Sequence, residues 1–177
     1  MVDENFAQLY LGLLVALLAI FAFLILRQII KNRRVEGRLS RLQNKIKKEQ
    51  GTAQDYYELG GIFLDKKLYA QAIIQFQQAL KLSAGEDTEP QNLALVYNAL
   101  GFAYFAQDQY DLAIRHYKEA LKLMPEYGTA LNNLGHTYEK KKLTTQALEV
   151  YEEALKYDAE NSTAKRRAES LRKRVAV

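Results

Sequence analysis

The chain has 177 residues, 49% hydrophobic and 26% charged, enough apolar content for one sizeable core. It has no cysteine, which excludes disulfides and thiolate metal sites and fits a reducing compartment. The formal net charge of +4 is unevenly spread: residues 27–52 carry nine Lys+Arg against two Glu, 53–161 carry 10 against 16 acids, and 162–177 carry six against one. A basic chain with an acidic middle is not expected to bind nucleic acid.

Residues 1–8 are a short acidic start containing Asp3 and Glu4. Residues 9–26 follow without a charge, an Asn, a Gln or a Pro. As a helix rising about 1.5 Å per residue they nearly span a bilayer core of roughly 30 Å, and the wider stretch 6–30 spans it with margin. A cleaved signal peptide would begin with basic residues and end at a small-residue site. This run follows acids and ends at Arg27, so a transmembrane anchor is predicted. Arg27, Lys31, Arg33, Arg34 and Arg38 lie just after it. The positive side stays in the cytoplasm, so the rest of the chain is expected there, or in the stroma of a plastid.

Within 27–52, Val35, Leu39, Leu42 and Ile46 recur at helical spacing among basic and amide residues, which predicts an amphipathic stalk ending at Gly51. Three arrangements are open: lying on anionic headgroups, pairing as a short coiled coil, or packing on the segment that follows. Four apolar positions and Gly37 are poor support for a coiled coil, so contact with membrane lipid is favoured.

From residue 53 the chain repeats itself. Blocks 94–127 and 128–161 align through Leu100-Gly101 with Leu134-Gly135, Tyr104 with Tyr138, Ala113 with Ala147, Tyr117 with Tyr151 and Ala120 with Ala154. An upstream copy at 53–86 supplies Gly60, Phe63, Ala72, Phe76 and Ala79, with Gly60 displaced by a seven-residue insertion at 87–93. Small residues fall where two helices touch and aromatics fill the space beside them. Each block is therefore a helical hairpin, with Gly60, Gly101, Gly135, Ala72, Ala113 and Ala147 inside hairpins and Ala79, Ala120 and Ala154 between them. Gly60-Gly61 is accounted for by the repeat. This 34-residue period and residue set resemble the tetratricopeptide (TPR) pattern, and three copies suffice for a stable stack.

The predicted helix pairs are 54–66 with 69–82, 89–107 with 110–123, and 128–141 with 144–157. The insertion Gly85-Glu86-Asp87-Thr88-Glu89-Pro90 reads as a turn and cap, with Thr88 and Gln91 at capping-box spacing and an additional turn on the helix that follows. Asn161-Ser162 caps a last helix whose Ala164, Ala168, Leu171 and Val175 share one face among six basic residues, a solvating end cap over 162–177. The fold class is all-α: a transmembrane helix, a basic stalk, a three-repeat α-solenoid and a C-terminal capping helix.

No catalytic, cofactor or metal site is expected. His116 and His136 have no second His at ligand spacing, and there is no Gly-rich phosphate loop, nucleophile elbow or pair of buried carboxylates, so the chain is not read as an enzyme. A TPR stack instead offers a concave groove lined by the first helix of each hairpin. Here that places Tyr57, Leu64, Leu95, Asn98, Phe102, Phe105, Asn132, His136 and Glu139 toward a protein partner. Asn98 and Asn132 are expected to present amides to a ligand, and at least one of Phe102 and Phe105 to be exposed. TPR receptors of chaperone tails use a basic two-carboxylate clamp. Tyr57 and Gly61 stand where its first Lys and Asn would be, so such tails are not expected.

The whole chain resembles the membrane-anchored TPR proteins of cyanobacteria and plastids that assist photosystem I assembly or stability. The similarity runs from the anchor LYLGLLVALL and its exit LRQ, through YYELG and NLALVYNALGFAYFAQDQYDLAIRHYKEAL, to TALNNLGHTYEKKKL and the terminal AKRRAESLRKR. It implies a single-pass thylakoid membrane protein with its repeats in the cytoplasm or stroma. Its expected clients are photosystem I subunits or assembly intermediates, and its expected role is that of an assembly factor. Composition and periodicity by themselves show an anchored interaction scaffold. They leave open a receptor for import or quality control, or a tether for a soluble enzyme.

Overall fold

The computed structural model describes residues 2–84 and 89–175, and every regular element among them is an α-helix. In chain order these are α1 (Val2–Glu49), α2 (Ala53–Asp65), α3 (Tyr69–Ser83), α4 (Pro90–Phe105), α5 (Tyr110–Leu123), α6 (Gly128–Lys140), α7 (Thr144–Tyr157) and α8 (Ser162–Val175). The chain forms two units, Met1–Asn44 and Lys45–Val177.

The first unit is α1 up to Asn44. Each Leu, Ile, Val, Phe and Tyr side chain between Leu9 and Leu26 is exposed, with no protein packed on it. A helix satisfies its own backbone polar groups, so such a segment needs only an apolar solvent around it. Its length and composition are sufficient to cross a membrane.

In the second unit the last turn of α1 packs on the start of the repeats. Ile46 lies against Gly51, where an added Cβ would come within 2.6 Å of Ile46 Cγ1 and 3.3 Å of the Tyr56 ring. Lys45 Nζ meets Asp55 Oδ1 at 2.7 Å. These two residues take the third of the arrangements open for the stalk. Asp55 is 6% exposed and also closes the capping box of α2: Thr52 Oγ1 accepts from the Asp55 amide, and Asp55 Oδ2 accepts from the Thr52 amide at 2.9 Å. The Lys45 ammonium, followed by the Thr52 amide, lowers the Asp55 pKa from its ordinary value.

The hairpins are α2/α3, α4/α5 and α6/α7, with α8 packed on α7. Their internal turns are equivalent. Lys67, Asp108 and Lys142 hold φ of 58°, 58° and 61°, and the next amides, of Leu68, Gln109 and Leu143, reach back to the Phe63, Tyr104 and Tyr138 carbonyls. This left-handed residue with its long return bond satisfies carbonyls that the ending helix leaves open. α4 is 16 residues long against 13 for α2 and α6, and Pro90 occupies its first turn, where a missing N–H removes nothing. The expected cap at Thr88 lies outside the described residues, as do Gly85, Glu86 and Asp87.

Packing follows from size. Ala72, Ala79, Ala113, Ala120 and Ala147 are fully buried, and Ala154 is 1% exposed. Phe76, Tyr117 and Tyr151 are buried to the same degree, and each lies on a glycine of the preceding helix. A Cβ on Gly60 would approach Phe76 to 2.5 Å, one on Gly101 would approach Tyr117 to 2.8 Å, and one on Gly135 would approach Tyr151 to 2.7 Å. Gly61 is different: nothing lies within 4 Å of its would-be Cβ. The repeat therefore explains Gly60 but not its neighbour, which weakens α2 by about 1 kcal/mol relative to alanine.

Candidate functional site: the concave face of the repeats

Successive first helices α2, α4 and α6 are neighbours, and α8 continues the series through side-chain bonds to α6. Phe102 is the exposed aromatic of this face, at 41%. Phe105 is partly covered: its ring lies 5.6 Å from Tyr110 and 5.2 Å from His136, centre to centre. Tyr57 is half-buried with its ring 5.9 Å from Phe76, and Leu64 and Leu95 are partly buried.

The two asparagines are engaged within the fold rather than left for a ligand. Asn98 donates from Nδ2 to the Tyr127 hydroxyl at 3.2 Å and accepts at Oδ1 from Asn133 at 3.1 Å. Asn132 donates to Asn161 Oδ1 at 3.2 Å. That oxygen also accepts from the Ala164 amide at 3.0 Å as the cap of α8, which fixes the Asn132 amide and leaves its Oδ1 buried without a partner. The Asn98–Tyr127 and Asn132–Asn161 bonds both span 29 residues, one bond per repeat junction. Sequence reasoning named Asn161 as the cap of α8, which the Ala164 bond bears out, but missed its bond to Asn132 and missed Tyr127 and Asn133, although that recurring separation was available as a signal.

Toward the C-terminal end the face becomes polar. Glu139 accepts from the Tyr151 hydroxyl at 2.8 Å and pairs with Arg167 at 3.5 Å. Burial, then the Arg167 charge, lower the His136 pKa, with Glu139 opposing. Burial, then the Tyr57 hydroxyl, raise the Tyr127 pKa, with the Asn98 hydrogen bond opposing. Arg166 and Lys173 on α8 are exposed and have no carboxylate partner among the described residues. Away from this face, His116 is layered between Tyr97 and Tyr104, with ring centres at 6.1 and 5.2 Å, and its Nδ1 is buried without a partner. No three His, Asp or Glu among the described residues gather as metal ligands. The arrangement suits recognition of a polypeptide: an exposed aromatic, aliphatic neighbours and a cationic end on a rigid helical scaffold.

The tetratricopeptide repeat family profile matches residues 51–126 and 92–160. The chain is 40% identical over 95% of its length to the chloroplastic tetratricopeptide repeat domain-containing protein PYG7 of Arabidopsis thaliana, and it spans about half, 55%, of that protein. It is 40% identical to ycf37 of Cyanophora paradoxa, an uncharacterised protein, over 92% of this chain and 91% of the other. Among solved structures, a crystal structure of MamA superposes with a TM-score of 0.73 at 20% identity, covering 82% of this chain and 81% of that one, which supports the fold. With its repeat register, hairpins and glycine contacts in agreement, the chain belongs to the tetratricopeptide repeat family of protein-interaction scaffolds.

Proposed function

We propose that the protein is a thylakoid membrane assembly or stability factor for photosystem I, anchored by residues 9–26 and holding client subunits or assembly intermediates in its groove. The observation that carries the interaction role is Phe102, a large apolar side chain left exposed on the face that the family uses for partners. Exposed aromatics on a rigid surface are typical anchors of binding energy. The apolar part of α1 supports the anchor, and the basic residues from Arg27 onward support repeats in the cytoplasm or stroma and contact with anionic lipid. The choice of client rests on the whole-chain similarity, consistent with the chloroplastic name of the Arabidopsis relative. The role is one of binding, with no reaction assigned.

Asn132 holds α8, so Phe102 alone is the position to test. Phe102→Ala should remove binding worth on the order of 2 kcal/mol, about thirtyfold in affinity, while leaving helicity unchanged. Photosystem I subunits should co-purify less from detergent-solubilised thylakoids, and photosystem I should accumulate less. Undiminished co-purification with normal accumulation would place the contact elsewhere.

A further inference from the structure

We propose that the groove is polarised and takes one class of segment: a client polypeptide with a bulky apolar side chain seated over Gly61 against Phe102, next to acidic residues that reach Arg166 and Lys173. This rests on the groove being the client site. Counted by repeat, Gly61, Phe102, His136 and Ser170 occupy one register on α2, α4, α6 and α8. Along it the surface changes from an open floor, to an exposed aromatic, to a partly buried imidazole, to a hydroxyl beside two cations.

Each end supplies an independent observation. At the α2 end, Gly61 interrupts a helix with a residue that nothing in the fold requires, since its Cβ would meet only open space. Gly61 holds on α2 the register that Phe102 holds on the neighbouring α4, and its missing side chain lets an apolar group approach the α2 backbone. At the α8 end, Arg167 and Arg172 are already paired, with Glu139 and Glu152, whereas Arg166 and Lys173, in the registers of Asn132 and Glu139, are exposed and make no ion pair with a described residue, Glu169 one turn away included; Lys165 and Arg174 are exposed too but lie off those registers. A carboxylate-bearing occupant complements that charge, and exposed charges of one sign also steer such a partner to the groove.

The test uses the full chain in nanodiscs of phosphatidylcholine, whose zwitterionic headgroups carry no net charge to draw the cations. The probe is a short fluorescent synthetic peptide with one half apolar around a single Phe and the other half Glu. Controls replace the Phe by Ser, the Glu by Lys, or interleave the two halves. Binding is expected only for the parent peptide, weakened on the order of tenfold by Gly61→Leu and by Arg166→Glu with Lys173→Glu. Raised salt should weaken binding to the wild type more than to the charge-reversed variant. Gly61→Leu should melt at or above the wild-type temperature, because its floor is open. Parent and interleaved peptides binding alike would overturn the proposal, as would binding indifferent to Gly61→Leu. Indifference to charge reversal in neutral discs would also overturn it and assign the cations to anionic lipid. If Phe102→Ala lowers client co-purification from thylakoids but Gly61→Leu does not, the groove remains the client site and the polarised reading fails. If neither does, both fail.

Discussion

The same substitution at two glycines should have opposite effects. Alanine is preferred over glycine inside a helix by about 1 kcal/mol. At Gly61 nothing opposes that gain, because beyond its own stretch of helix no atom of the described residues lies within 4 Å of the new Cβ. At Gly135 the new Cβ would stand 2.7 Å from Tyr151 Cζ and 2.8 Å from Cε1. Ordinary carbon contacts are about 3.5–4.0 Å, so the ring must retreat by roughly 1 Å. It has nowhere to go: Tyr151 is 1% exposed and its hydroxyl is tied to Glu139 at 2.8 Å. Overpacking of this kind costs typically about 1–3 kcal/mol, and straining a hydrogen bond to a charged acceptor adds about 1 kcal/mol. After subtracting the helix preference, Gly135→Ala should destabilise by about 2 kcal/mol. Melting followed by circular dichroism, on the full chain in detergent, should show Gly61→Ala raised by about 3 °C and Gly135→Ala lowered by about 6 °C. A Gly135→Ala protein that melts at or above the wild type would refute the tight ring contact. A lowered melting point for Gly61→Ala would refute the open floor.

Two further outcomes follow from the ends and the centre of the chain. Replacing Leu17 and Leu18 by Arg places two charges in the apolar run at about 2.5–3.5 kcal/mol each, so the protein should leave carbonate-washed membranes; retention would contradict the anchor. Burial and then the Arg115 charge hold the His116 pKa below the ordinary imidazole value of 6.5, against the pull of Glu119, and His136 is lowered as well. Because the unfolded chain binds these protons more readily, the stability is complete above about pH 6.5 and declines as pH falls toward the folded values. The melting temperature should drop between about pH 7 and pH 5, less steeply in His116→Gln, and an equal slope in the variant would remove His116 from that account.

The hairpins were legible because the cause of each is local in the repeat: a glycine and an aromatic at fixed offsets can meet only if two helices pack, and Gly101 with Tyr117 does so. What each groove side chain does was less legible. Phe102 and Phe105 are equally apolar in sequence, and only the neighbouring His136 and Tyr110 cover one and not the other. Asn98 and Asn132 make equivalent bonds 34 residues apart, and their amides are occupied by residues of the next junction, whose reach depends on how closely hairpins stack. The stalk divides for a similar reason. Ile46 belongs to an unbroken apolar periodicity, yet the close approach of Gly51 draws it onto the repeats.

Where α2, α4 and α6 carry Gly60, Gly101 and Gly135, α8 carries the exposed Glu169, and where they carry Phe63, Tyr104 and Tyr138 it carries the exposed Arg172. The rings of Phe76, Tyr117 and Tyr151 sit on those glycines within their own hairpins, so α8 lacks the seat by which a first helix takes its partner. That would matter most with α1 in a membrane, where copies would share one plane and meet far more often than in free solution. A head-to-tail contact repeated across that plane would form open filaments, since nothing in such an interface makes it close. Glu169 and Arg172 thus put charge in the way of such a contact at α8.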